Sequence, residues 1–139
     1  MKFACNMPNE SSPLRVLAVD DEPLIRWSLS ETLGDRGDVV IEAGSGQEAM
    51  RAFADSAVPV DVVLLDYKLP DSYHLDVLMA LHQLSPTSQV IVMSAHCTPE
   101  IAKEALASGA YRVVTKPIDM KDVPALVREA ANARAHPVP

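Results

Sequence analysis

The chain of 139 residues, with 48% hydrophobic and 22% charged residues, has the length and composition of one soluble domain with its own core. Its net charge of −7 argues against a surface that binds nucleic acid directly, because a polyanion requires a basic face. No apolar run approaches the roughly 20 residues that cross a bilayer. Two cysteines, Cys5 and Cys97, give no disulfide framework, so we expect a cytoplasmic protein with no membrane partner.

The chain opens with a lead-in, a strand and a helix. Residues 1–13 lack the apolar core of a signal peptide, and we interpret them as a disordered lead-in. Residues 14–19 follow as a strand rich in branched apolar residues, which ends in the acidic run Asp20-Asp21-Glu22. Pro23 occupies the favoured first turn of a helix, and the apolar residues of that helix are predicted to form one stripe: Leu24, Ile25, Leu29 and Leu33.

The alternation of strand and helix continues to about residue 134. The apolar run Val62–Leu65 is typical of a strand buried on both faces, and it stops at Asp66. Ser45 and Glu48 have the spacing of a capping box, which predicts the start of a second helix. Further strands are predicted at residues 39–41, 89–93 and 111–115, and further helices at residues 74–84, 98–108 and from residue 122 onward. The tail, residues 135–139, contains two prolines and cannot continue the last helix.

This order of elements predicts an α/β fold with one doubly wound, five-stranded parallel sheet covered by helices on both faces. The carboxyl ends of parallel strands share one edge of the sheet, and ligands bind at that edge. Four of the predicted strands end there in reactive side chains: Asp20 and Asp21, Asp66, Ser94, and Lys116.

These side chains form a set suited to phosphoryl transfer. Two carboxylates about 4 Å apart repel by about 4 kcal/mol at an effective dielectric constant near 20, so three of them favour a hard cation such as Mg²⁺. Lys116 and Ser94 can each hold an anionic oxygen. Since phosphoryl transfer is catalysed mainly by positioning and by neutralising charge, the set predicts an aspartyl phosphate on Asp66.

The motifs resemble those of the receiver domains of bacterial two-component response regulators. Residues 19–23, Val-Asp-Asp-Glu-Pro, are similar to the acidic opening of that family, and Asp66 with Leu69-Pro70-Asp71 is similar to its phosphoacceptor motif. Met93-Ser94-Ala95 and Thr115-Lys116-Pro117 are similar to its switch strand and lysine motif. The Leu-Pro-Asp segment and residues 43–49 are most like receivers of sigma-54-dependent activators. The resemblance covers residues 14–134 and implies the flavodoxin-like (βα)5 receiver fold.

The resemblance also implies roles for individual residues. Asp66 would accept the phosphoryl group, with Asp21 and Asp66 as direct ligands of Mg²⁺, Asp20 acting through a bound water, and the backbone carbonyl of Lys68 as a further ligand. Ser94 and Lys116 would hold phosphoryl oxygens, and a cis peptide bond would join Lys116 to Pro117.

Signalling in this family implies further positions and partners. Tyr111 holds the place of the switch aromatic, and we expect it to fill the space that Ser94 vacates on phosphorylation. Lys68 and His96 flank the path of a hydrolytic water, so we expect them to slow loss of the phosphoryl group. The phosphodonor would be a sensor histidine kinase or a phosphotransfer protein, and the response would control an output domain, a partner or a homodimer. Such a receiver catalyses only its own phosphorylation and dephosphorylation.

Two departures from the family leave questions open. His74 stands where the family usually has Gly, and a Gly there permits a positive φ that a His enters only at a cost. The second departure is that no output domain follows the last predicted helix. The chain is then either a stand-alone receiver or a fragment of a longer regulator, and we expect a fragment because the Pro-containing tail resembles the start of a linker.

Three other readings of the chain compete with the receiver. An Asp-nucleophile phosphatase of the haloacid dehalogenase type would need a second Asp two residues after Asp66, where Lys68 stands. A flavodoxin-like cofactor binder would need a phosphate loop in place of the acidic run, which would repel a phosphate. The third alternative is a pseudo-receiver that only binds partners; the intact set of acids, hydroxyl and lysine argues against it.

Overall fold

The computed structural model describes residues 12–72 and 75–135, and within them five strands alternate with five helices. The strands are β1 (Arg15–Val19), β2 (Val39–Ala43), β3 (Val62–Asp66), β4 (Gln89–Ser94) and β5 (Arg112–Thr115). The helices are α1 (Pro23–Gly34), α2 (Gly46–Asp55), α3 (Asp76–Leu84), α4 (Pro99–Ala107) and α5 (Val123–Ala135).

The five strands form one parallel sheet in the order β2-β1-β3-β4-β5. The central strand β3 is buried along its whole length, as its uninterrupted apolar sequence predicts. The outer strands β2 and β5 are partly exposed. The predicted α/β class and doubly wound five-stranded sheet are confirmed.

Alternate residues of the inner strands face opposite layers of helices, because successive side chains of a strand point to opposite faces. One layer packs α2, α3 and α4 against the sheet through residues that include Leu17, Val63, Leu65, Leu78 and Leu81. The other layer packs α1 and α5 through residues that include Val16, Leu64, Met93, Leu29 and Val127. The two cores hold the carboxyl ends of the strands at one edge.

The prediction that Leu24 belongs to the buried stripe of α1 is wrong, because its side chain is 73% exposed. Leu29 and Leu33 are fully buried, and Ile25 packs against the same core. Those three residues repeat every four positions and share one face of the helix, whereas Leu24 lies five positions before Leu29 and is rotated from it by about 140°.

Several sequence predictions fall outside the described residues. They are the departure at His74, most of the lead-in (residues 1–11) and the tail after residue 135. In the part of the chain that the structure describes, no helix is both long and apolar enough to cross a membrane.

Candidate functional site

The sheet register brings four strand ends together. Val19, the last residue of β1, pairs with Leu65 of β3. Asp20 follows Val19 and therefore lies beside Asp66, the last residue of β3. Asp66 pairs with Met93, and Ser94 pairs with Thr115, which places Lys116 one residue beyond the ladder. The backbone N–H of Lys116 donates to the Ser94 carbonyl at 2.8 Å.

Lys116 lies at the centre of the acidic side chains. Its Nζ is 2.8 Å from Asp20 Oδ2 and 3.3 Å from Asp66 Oδ2, and both carboxylates are buried. Glu22 Oε1 approaches the same ammonium at 3.6 Å from the solvent side. The lysine therefore bridges two carboxylates that would otherwise repel each other.

One ammonium does not balance the negative charge of the site. Burial, followed by the charge of Asp20, raises the pKa of Asp66 to about 6, even though Lys116 and the Lys68 backbone N–H stabilise the ionised form. Burial alone would lower the pKa of Lys116, but its contacts with Asp20 and Asp66 outweigh that effect and raise it. The lysine stays charged, and Asp66 is the group whose ionisation the site opposes.

The three aspartates of the site fit a hard divalent cation. Asp20, Asp21 and Asp66 each offer a carboxylate oxygen, and these oxygens lie within 4.8 Å of one another. Asp20 and Asp66 are buried, while Asp21 is exposed and open to water. Mg²⁺ prefers one or two carboxylates and several waters, so this combination of buried and solvated oxygens suits it.

Hydrogen bonds from α1 and β2 fix the backbone of the acidic run. The Asp20 N–H donates to the Ala43 carbonyl at 3.0 Å, and Arg26 Nη1 donates to the Asp20 carbonyl at 2.6 Å. Asp20 Oδ1 accepts the Glu22 N–H at 2.9 Å. The Arg26 guanidinium is itself held by Glu42 at 3.3 Å. Asp20 is thus held by its backbone as well as by its side chain.

A cavity of about 560 Å³ opens onto Asp66. Ser94 and Lys116 line it beside Asp66, and exposed Lys68 and His96 form part of its rim. The Ser94 hydroxyl oxygen accepts the His96 N–H at 3.3 Å. The cavity can admit a tetrahedral anionic group that touches the carboxylate, the hydroxyl and the ammonium together.

Two features expected from the family resemblance can be located in the structure. The Lys116–Pro117 peptide bond is cis, as the resemblance implies. Tyr111 lies away from the cavity, just before β5: its N–H donates to the Val90 carbonyl at 2.7 Å, its ring packs against the core between the sheet and α1 and α5, and its hydroxyl donates to Glu129 Oε1 at 3.2 Å. Burial and the Glu129 carboxylate raise the pKa of the Tyr111 phenol, so the hydroxyl stays a donor. The prediction that Tyr111 fills the space vacated by Ser94 is wrong, because Ser94 pairs with Thr115 at the other end of β5 and, like Val90 and Val92, faces the opposite layer of helices.

Sequence reasoning missed three residues that organise this edge of the sheet. Glu22 was noted in the sequence only as part of an acidic run. No sequence motif predicts the hydrogen bond between Arg26 and the Asp20 carbonyl. Asp71, which entered only as part of a motif, accepts two backbone N–H groups at the start of α2. The sequence signal for these three contacts is limited to the presence of charged residues near the ends of predicted strands, which does not identify their partners.

Comparison with known proteins gives the same fold and family. The family model for the response regulator receiver domain matches residues 16–128. Transcriptional regulatory protein KdpE of Mycobacterium tuberculosis is 44% identical over 115 residues, 83% of this chain and 50% of KdpE. Regulatory protein AtoC of Escherichia coli is 34% identical over 116 residues, 84% of this chain and 25% of AtoC.

A solved structure covers nearly the same unit. The CheY-like response regulator receiver domain protein of Methanospirillum hungatei superposes with a TM-score of 0.83 at 26% identity, covering 90% of this chain and 98% of its own. The chain therefore belongs to the response regulator receiver domains, and its fold is the flavodoxin-like receiver fold. It spans half the length of KdpE and a quarter of the length of AtoC. AtoC is consistent with the predicted likeness to receivers of sigma-54-dependent activators.

Proposed function

We propose that this domain accepts a phosphoryl group on Asp66 from a phosphohistidine of a sensor histidine kinase or phosphotransfer protein, in a reaction that requires Mg²⁺. The observation that carries the proposal is the position of Asp66: a carboxylate only 7% exposed, at the end of the central strand, 3.3 Å from a lysine ammonium and open to a cavity. A buried acid with surplus negative charge around it is suited to a reaction that brings in a cation and a phosphoryl group.

The reaction forms one bond and breaks another. An ionised Asp66 oxygen attacks phosphorus, an O–P bond forms, and the N–P bond of the phosphohistidine breaks, leaving its electron pair on the imidazole nitrogen. Lys116 and the Ser94 hydroxyl hold phosphoryl oxygens as negative charge spreads over them in the transition state. Asp21 and Asp66 would be direct Mg²⁺ ligands, with Asp20 acting through water and the Lys68 carbonyl as a further ligand. The metal, when bound, neutralises the carboxylates and the phosphoryl oxygens together.

The proposed output is a change of conformation at the carboxyl ends of β4 and β5. Ser94 moves towards the phosphoryl group, and the carboxyl ends of β4 and β5 shift with it. A shift from 1% to 99% of the active state requires phosphorylation to favour it by about 5.5 kcal/mol. We propose that the signal passes to an output domain, a partner or a homodimer, in the cytoplasm and without direct binding of nucleic acid or membrane by this domain. In this account its catalysis is limited to its own phosphorylation and dephosphorylation.

Intact-mass measurement after incubation with Mg²⁺ and acetyl phosphate tests this function. We expect a gain of one phosphoryl group that is lost at alkaline pH, as an acyl phosphate is. Steady release of phosphate with no bound phosphoryl group would instead indicate an Asp-nucleophile phosphatase. No reaction and no Mg²⁺ binding would indicate a receiver that serves only as an interaction module.

A further inference from the structure

The loop after β3 is attached to a second element of the fold by one carboxylate. We define the acceptor loop as residues 67–72. At its far end, Asp71 Oδ1 accepts the Gly46 N–H at 2.8 Å, and Asp71 Oδ2 accepts the Gln47 N–H at 2.9 Å. These N–H groups belong to the first turn of α2, where backbone donors have no partner within the helix. Asp71 therefore joins the loop that follows Asp66 to the start of α2.

The start of α2 has its own local cap as well. Ser45 Oγ accepts the Glu48 N–H at 3.1 Å, and Glu48 Oε1 accepts the Gly44 N–H at 2.7 Å. Asp71 accepts from the two N–H groups, those of Gly46 and Gln47, that this local arrangement leaves without a partner. Because Asp71 lies 25 residues from Gly46 in the chain, its contribution is a tertiary contact rather than a local feature of the helix.

The close approach of the loop to α2 depends on Gly46. A Cβ atom at this position would lie 2.0 Å from Ser72 Oγ and 2.9 Å from Val77 Cγ2, so only glycine fits without a shift of its neighbours. The Gln47 and Gly46 amides lower the pKa of Asp71, which keeps the carboxylate ionised for this contact. The shape of the backbone and the charge of Asp71 thus serve the same attachment.

The acceptor loop is consequently held at three places. Asp66 ends β3 within the sheet, Leu69 is buried in the core beside α2 and α3, and Asp71 is bonded to α2. Lys68 lies between the first two points, and its N–H donates to Asp66 Oδ1 at 3.2 Å. Of the three, the Asp71 contact lies at the solvent-exposed end of the loop. Without it, this end of the loop would not be attached to α2.

We infer that Asp71 is a positioning residue: by bonding to the start of α2 it holds the acceptor loop in the shape that keeps the Lys68 backbone beside Asp66, where its carbonyl can reach Mg²⁺. This inference rests on the function proposed above. Loss of the contact leaves every proposed ligand in the chain but lets the loop that carries the Lys68 carbonyl, next to Asp66, sample other shapes. Binding then includes the cost of ordering the loop, which lowers the affinity for the metal.

The test compares Asp71→Ala with Ser45→Ala in the 139-residue chain. Both variants remove a cap from the start of α2, but only the first releases the loop. We expect both to lower the melting temperature, since a lost cap destabilises a helix. Calorimetric titration with Mg²⁺, without a phosphodonor, should show an affinity about threefold lower for Asp71→Ala and unchanged for Ser45→Ala. That decrease is smaller than the roughly tenfold loss typical when a group bonded directly to a metal ligand is removed.

Asp71→Asn provides a second variant if Asp71→Ala does not fold. Its amide can accept one of the two N–H groups but not both, so we expect a smaller decrease in Mg²⁺ affinity and a matching decrease in the rate of phosphorylation by acetyl phosphate. Wild-type affinity and rate in the folded Asp71 variants would overturn the inference, as would an equal loss of affinity in Ser45→Ala. A wild-type chain that neither binds Mg²⁺ nor gains a phosphoryl group would instead overturn the proposed function.

Discussion

Two buried carboxylates at opposite edges of the sheet show what separates a structural ion pair from a reactive site. At the amino-terminal edge, Asp38 Oδ1 accepts the Leu14 N–H at 2.9 Å and the Arg128 guanidinium at 3.1 Å. Arg128 also donates to the Ser12 carbonyl at 2.8 Å. At the carboxyl edge, Asp66 shares Lys116 with Asp20 while Asp21 and Glu22 lie close by.

The difference between these two clusters is their balance of charge. Asp38 faces one guanidinium, and their charges cancel, so the cluster ties α5 to the start of β1 and β2 with no need of a ligand. Three aspartates with one lysine leave negative charge uncompensated, and burial, followed by the charge of Asp20, raises the pKa of Asp66 to about 6. Removing one partner of the balanced pair leaves a buried charge uncompensated, whereas the cluster with surplus charge is stabilised by a ligand that binds to it.

Removal of a proposed metal ligand should produce the largest effect on binding. We expect Asp21→Ala to weaken Mg²⁺ binding by more than about tenfold, because it deletes a direct carboxylate ligand. Calorimetry would measure this, and a second signal would be the fluorescence of Trp27, the single tryptophan, which lies in α1 a few residues after the acidic run. Asp38→Ala is the matched control, since it removes a carboxylate from the opposite edge. Equal affinity in Asp21→Ala and the wild-type chain would contradict the ligand assignment.

Removal of the balanced carboxylate should affect stability instead. We expect Asp38→Asn to lower the free energy of unfolding by about 2–3 kcal/mol, because it leaves the Arg128 charge without its buried partner. Denaturant unfolding would measure the change, and Mg²⁺ binding and phosphorylation should stay at the wild-type level once the variant is folded. A fully stable Asp38→Asn chain would show that the Asp38–Arg128 pair does not hold α5 in place.

The pH dependence of stability should reveal the cost of ionising Asp66, which burial and then the charge of Asp20 impose. Its pKa in the folded protein is raised to about 6 from 3.8, so the folded state binds the proton more tightly. The stabilisation from that proton is complete below about pH 3.8 and is lost as the pH rises through about 6. At pH 7 without Mg²⁺, Asp66→Asn should therefore be more stable than wild type by about 1–2 kcal/mol, after allowance for screening by water.

The control for this effect is the same titration at saturating Mg²⁺. The cation favours the ionised carboxylate, so the wild-type chain should then be stabilised at pH 7 relative to its metal-free form. A pH profile of stability that is identical in wild type and Asp66→Asn, in the absence of metal, would show that burial and the charge of Asp20 do not oppose the ionisation of Asp66.

The smallest expected effect concerns the lifetime of the phosphorylated state. Lys68 and His96 are exposed at the rim of the cavity, where they can cover the approach of water to a phosphoryl group. We expect Lys68→Asn combined with His96→Glu to lose the phosphoryl group about threefold faster, which matches the under 1 kcal/mol of an exposed contact. Decay after removal of the phosphodonor measures this, and a double variant as slow as wild type would show that these side chains give no shielding.

Much of the reactive cluster could be predicted because each member follows an apolar run. Val62–Leu65 predicts a buried strand, and the run of acids after β1 and the lysine after β5 then fall at the same edge by topology alone. The cap at Ser45 and Glu48 was also predictable, since both residues lie in one short segment. In the structure Ser45 accepts the Glu48 N–H as predicted, but Glu48 bonds to Gly44 rather than to Ser45.

The contacts that escaped prediction join residues far apart in the chain. Asp71 bonds to residues 25 and 24 positions away, and Arg128 reaches Asp38 across 90 positions. No periodicity or local motif encodes such pairs, because the tertiary packing of helices against loops and strand ends decides which groups meet. The exposed Leu24 is a different case, because the sequence itself could have predicted it. Leu24 lies five positions before Leu29, and this spacing places it on a different face of the helix.

Intact-mass measurement of Asp66→Asn beside Asp38→Asn, after incubation with Mg²⁺ and acetyl phosphate, tests the central claim most directly. Both variants lose one buried carboxylate, but only the first loses the carboxylate from the cluster with surplus charge. We expect no gain of mass in Asp66→Asn, and in folded Asp38→Asn a gain of one phosphoryl group that disappears when Mg²⁺ is chelated beforehand. An undiminished gain of one labile phosphoryl group on Asp66→Asn would contradict the assignment of Asp66 as the acceptor.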